Sequence, residues 1–159
     1  LGGSMRTFAL FALAFSAATA AATNPASVPE AVKQLNGYWK PESVLYEGQE
    51  QLPDAKSKEL LTLVIKDGDY RMYYASDPAK DLHVRLFTAE LRLDPASKTC
   101  EINVKDGNKK GDARHGIYEM TGTQLKICYG PANQARPTKF EAPKGSGYFC
   151  ETWVAEKKK

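Results

Sequence analysis

At 159 residues, with 42% hydrophobic and 26% charged side chains, the chain has the makings of one folded domain and not of a fibrous or disordered polymer. Its formal charge is +3; removal of Arg6 with a leader would leave +2, less than Lys157-Lys158-Lys159 supply, so the body is near neutral. No basic stripe with interleaved aromatics is present, which argues against nucleic-acid binding.

Leu1 to Ser4 read as a cloning remnant before Met5. Residues 5–22 read as a cleaved secretory signal: basic Met5-Arg6, apolar Phe8 to Phe15, then small residues Ser16 to Ala22. The apolar run falls short of the ~20 residues a spanning helix needs, so no membrane span is expected. The expected destination is secreted or periplasmic. Residues 23–32 form a linker and the start of a short helix, with Val32 and Leu35 on one side and Pro29 in its first turn.

From Gly37 the pattern turns to short apolar stretches divided by turn residues. Candidate strands are Tyr38–Tyr46, Leu61–Lys66, Tyr70–Tyr74, Leu82–Leu93, Cys100–Val104, Gly116–Met120, Leu125–Tyr129 and Tyr148–Ala155. Asp67-Gly68 is a strong hairpin signal, and Asp94-Pro95-Ala96-Ser97 and Thr121-Gly122-Thr123 mark further turns. Gln51 to Glu59 has room for one helical turn, and Lys105 to Ala113 is a polar loop. The longest connection, Gly130 to Gly147, predicts a lid or binding loop over a barrel mouth. Sequential hairpins without a long helical pattern predict an all-β fold: an eight-stranded antiparallel up-and-down barrel with a short N-terminal helix, over residues 33–156. Residues 157–159 are a basic tail.

Cys100 shares a phase with Ile102 and Val104 and reads as a small buried hydrophobe. Cys128 and Cys150 lie in the last two strands, adjacent in such a barrel. Either they form a disulfide at the base of the long loop, or all three thiols are free.

Leu35-Asn36-Gly37-Tyr38-Trp39-Lys40 resembles the Gly-x-Trp start of lipocalins, in which a helical turn leads into the first strand and the Trp closes the barrel floor. The order of segments is similar to an uncharacterised lipocalin-like domain family expanded in planctomycetes. The matching pieces are Leu35–Lys40, Leu61–Tyr70, Leu91–Pro95, Gly116–Met120, Leu125–Tyr129, Arg136–Phe140 and Gly145–Gly147. The resemblance implies a lipocalin-like barrel, with Gly37 and Trp39 structural, and implies no known activity. Lipocalins also set a basic residue from the last strand against that Trp, a place Lys157 could take.

Alternation assigns inward faces. Phe87, Ala89, Leu91 and Leu93 share one, and the same phase carried backward adds Arg85 and His83. Tyr70, Met72 and Tyr74 share another, as do Gly116 and Tyr118 with Arg114 in phase, and Leu125, Ile127 and Tyr129. The expected ligand site is therefore Tyr70, Met72, Phe87, Leu91, Tyr118 and Tyr129, with Arg85 as polar anchor for an anionic group. A β-bulge that turned Arg85 to solvent is the competing expectation. Arg136, stiffened by Pro137, is a loop contact to ligand or to backbone carbonyls.

No catalytic constellation is evident. His83 and His115 lack a partner set for a metal, and Glu90 and Glu119 look outward. Gly145-Ser146-Gly147 is not a nucleophile elbow, and no phosphate or dinucleotide loop exists, so no cofactor is expected. Three readings remain: first a carrier of a small apolar or amphipathic ligand, then a filled barrel acting as an interaction or inhibitor module through the Gly130–Gly147 loop, and last an enzyme, which nothing in the sequence nominates.

Overall fold

The structure, a computed structural model, describes residues 29–77 and 82–156. The expectations for the cloning remnant, the signal, the linker up to residue 28, and Lys157 with the rest of the basic tail lie outside these residues.

The fold is an eight-stranded, all-antiparallel closed barrel with its strands in sequence order. A one-turn helix, α1 (Glu30–Lys33), precedes β1 (Gly37–Tyr46), which ends in a hairpin with the two-residue β2 (Gln49–Glu50). Helix α2 (Ala55–Leu60) is N-capped by Asp54, whose carboxylate accepts from the amide of Ser57 at 2.7 Å. Then follow β3 (Leu61–Lys66), β4 (Asp69–Asp77), β5 (Leu82–Asp94), β6 (Thr99–Val104), β7 (Ala113–Thr121), β8 (Gln124–Tyr129) and β9 (Phe149–Ala155). The Asp67-Gly68 signal holds: both residues have positive φ, 50° and 92°, at the β3–β4 turn. Closure comes from β1, which pairs with β3 through Gly37 to Trp39 and with β9 from Trp39 to Tyr46. A bulge between Pro41 and Ser43 bends β1 so that one strand serves both seams.

The two ends of the barrel differ. At the end where β1 begins, Val32 and Leu35 seal the floor, and Leu63, Ile65, Leu91, Leu125 and Trp153 pack above them, all almost completely buried. Trp39 sits in this plug, 2% exposed, and its indole N–H donates to the carbonyl of Leu35 at 2.9 Å. That bond supplies the partner a buried indole requires and ties the helical turn to the first strand. Gly37 lies at the start of β1 with Ile65 as its partner. Among the described residues, no helix is long and apolar enough to cross a membrane.

Candidate functional site

The inward face of the opposite, open half holds the polar chemistry. Glu151, on β9, is 3% exposed and faces inward with Trp153. Its Oε2 accepts from the hydroxyl of Tyr70 at 2.8 Å and from the indole N–H of Trp153 at 2.9 Å; its Oε1 accepts from the hydroxyl of Tyr129 at 2.6 Å. Burial raises the Glu151 carboxyl above its ordinary range, against the pull of these three donors. Burial, then the Glu151 charge, pushes both tyrosines well above theirs, so each hydroxyl stays a donor.

Above this cluster the lumen becomes aromatic and half-open. Tyr129 stacks on Phe149 with centroids 5.6 Å apart, and Phe149 stacks on Tyr46 at 4.4 Å. Phe87 meets Tyr70 edge-on at 6.2 Å. Met72 pairs with Phe87 across β4 and β5, and both are only partly buried. Nearer the rim, the facing pair Tyr74 and Val84 is 39% and 50% exposed. Arg114 lies opposite the inward Ile102, with its guanidinium carbon 5.8 Å from the centre of the Tyr129 ring.

Arg85 does not enter the lumen. Between Met72 and Tyr73 the β4–β5 register shifts: Met72 faces Phe87, but Tyr73 faces Arg85, so Leu86 is the extra residue of a bulge. One inserted residue reverses every side chain beyond it. Val84 therefore takes the inward phase, and Arg85 turns outward, 57% exposed and 3.3 Å from Asp106. His83 turns outward too. It lines a concavity of about 590 Å³ on the outer wall with Tyr38, Lys40, Arg71 and Tyr73.

The remaining predicted residues divide by height. Met72 and Phe87 are partly uncovered in the open half, and Tyr70 and Tyr129 lie buried beneath them, 1% and 7% exposed, with both hydroxyls on Glu151. Leu91 and Tyr118 belong to the packed interior, 2% and 6% exposed. Arg136 lies on the outer wall, in a groove of about 350 Å³ with Arg92, Asp94, Ser97, Thr99 and Glu101. Residues 130–147 form no lid over the lumen in the way their length predicts. Ala142 instead packs against Cys128 and Cys150, which point outward from β8 and β9. Those two outward positions are apolar, and the loop is what covers them.

Cys128 and Cys150 are a cross-strand pair joined by a disulfide. The carboxylate of Glu47 accepts from the amides of Gly145 and Gly147, fastening the far end of the loop to the β1–β2 turn. Cys100 is free and buried, and burial pushes its thiol up to about 12, so it is chemically quiet. No group of three or more His, Cys, Asp or Glu side chains suited to a metal occurs among the described residues.

Glu151 was missed by sequence reasoning, although alternation along Phe149, Glu151, Trp153 places it beside an inward Trp. A carboxylate in that phase ordinarily argues against an inward face. What makes its burial tolerable is a set of donors on three strands.

The fold and site together define a closed antiparallel β-barrel with one sealed end and a polar, aromatic lumen toward the other. Comparison of the chain with protein-family models, curated proteins and solved structures found no match.

Proposed function

We propose that this protein is an exported, lipocalin-like carrier of a small apolar or amphipathic ligand, which enters at the open end. The carrying observation is the contrast between the two halves. The sealed half is packed to near-zero exposure, whereas the inward Met72, Tyr74, Val84, Phe87 and Phe149 of the open half are left partly uncovered. Uncovered apolar side chains on a concave face are what a ligand with a hydrophobic body would bury. The Gly37-x-Trp39 start, with its indole in the sealed end, supports the lipocalin-like assignment. The disulfide suits a protein that folds in an oxidising compartment.

Titration with 8-anilinonaphthalene-1-sulfonate, followed by displacement with 1-dodecanol, tests the carrier reading. Saturable fluorescence enhancement and competitive displacement are expected. Val84→Glu, at an exposed inward position, should weaken probe binding about tenfold, the cost of placing a charge against an apolar ligand. Absence of saturable binding, or a Val84→Glu variant that binds like wild type, overturns it.

The second reading is a protein-interaction module acting through the Gly130–Gly147 loop. It is favoured by Phe140, 37% exposed on a segment tied down by the disulfide and Glu47. A barrel that binds no small ligand would leave this reading in place.

A further inference from the structure

We infer that Arg114 is the specificity-determining residue of the open half, selecting ligands that carry an anionic head group such as a carboxylate. The inference rests on the carrier reading and adds the ligand class.

Arg114 is the second residue of β7 and pairs across the ladder with the buried Ile102, sharing its inward face. Its side chain is 17% exposed, so most of it is out of water while an edge still reaches solvent. A guanidinium so placed is costly unless its donors are satisfied. Arg114 Nε is buried and has no hydrogen-bond partner among the described residues. Its ion pair with Asp112 is stretched to 4.0 Å, and the Asp112 side chain is itself 30% exposed. Such a partly solvated, long contact contributes little.

The nearest buried carboxylate does not complete the pairing. Glu151 attracts the Arg114 charge but lies outside ion-pair range of it among the described contacts, and both its oxygens already accept from Tyr70, Tyr129 and Trp153. The Tyr129 ring beneath the guanidinium is fixed from one side by that carboxylate and from the other by Phe149. The cation is thus held over a rigid platform with donor capacity unused. The apolar surfaces of Phe87 and Met72 occupy the same lumen. A planar fork of donors in the same lumen as the partly uncovered Phe87 and Met72 matches a carboxylate on a hydrophobic body.

Dodecanoate and 1-dodecanol share a chain and differ in the head group, so their comparison isolates the charge. Wild type is expected to bind dodecanoate about tenfold more tightly than dodecanol, the scale of one good charge-assisted contact. Arg114→Gln should abolish that preference by weakening dodecanoate about tenfold more than dodecanol. Arg114→Lys should retain part of the preference, which also guards against a folding defect in the Gln variant. Equal binding of the two ligands by wild type, or equal weakening of both by Arg114→Gln, overturns the anchor while leaving the carrier standing. If neither ligand binds wild type, the carrier reading and the anchor fall together.

Discussion

Tyr70 donates its hydroxyl to Oε2 of Glu151 at 2.8 Å, linking β4 to β9, two strands that are separated around the barrel by β1 and β3. The bond spans the lumen, so it holds the barrel's cross-section as well as the carboxylate. Tyr70→Phe keeps the ring and removes that donor, leaving Oε2 with Trp153 alone. Loss of a hydrogen bond to a buried charged group costs about 1.5–3 kcal/mol. Urea unfolding should show a lowered midpoint with an unchanged slope; an unmoved midpoint would show that the bond stabilises nothing.

The same carboxyl makes stability depend on pH. Its folded value lies above its ordinary 4.5, so the folded state holds the proton more tightly than the unfolded chain. The associated stability is complete below 4.5 and declines as pH rises through the folded value. Asp69 and Asp94 run the opposite way. Each is held low, by hydrogen bonds from Lys105 and Ser97 respectively, and each loses its stabilisation as pH falls. Comparing wild type with Glu151→Gln cancels those surface groups. The variant should gain stability relative to wild type as pH climbs above 4.5. Parallel stability curves across pH 5–9 would refute a titrating Glu151.

Reduction of the Cys128–Cys150 bridge frees a segment of sequence separation 22. The chain-entropy relation assigns such a closure roughly 3 kcal/mol. The Cys128→Ser, Cys150→Ser double variant should lose about that much in denaturant unfolding. Alkylation of unfolded, unreduced protein should label one thiol, Cys100; three labelled thiols would disprove the bridge.

Gly116 tests packing at the waist of the barrel. A Cβ there would stand 2.6 Å from the carbonyl oxygen of Cys128, 2.9 Å from Cys100 Sγ and 3.0 Å from the Tyr129 Cβ. The first contact is with backbone, which cannot swing aside. Gly116→Ala should destabilise by about 1–3 kcal/mol, the usual cost of overpacking. A thermal midpoint equal to wild type would mean that β7 and β8 separate more freely than their pairing implies.

Much of the scaffold is legible in the sequence because its signals are local. Alternation marks Leu61–Lys66 with the observed bounds, and the other strands differ mainly at their ends. Asp67-Gly68 specifies its turn through two positive φ angles, a property of two neighbouring residues. Lumen residues Tyr70, Met72, Phe87 and Tyr129 are readable for the same reason: each lies in an unbroken stretch of pairing. Arg85 is not, because a bulge at Leu86 intervenes and no residue type announces it. Its position follows from how β4 and β5 must bend together.

The sequence by itself determined the number and order of the barrel strands, the Trp39 plug, and the period-two phases within each uninterrupted strand. Only the tertiary structure decided that Arg85 leaves the lumen while Arg114 keeps its inward phase, that Glu151 is buried, and that the long loop covers an outer wall. Phase is carried residue to residue along one strand. The inward turn of a carboxylate depends on donors delivered by other strands, and the resting place of a loop depends on which apolar surface closure leaves uncovered.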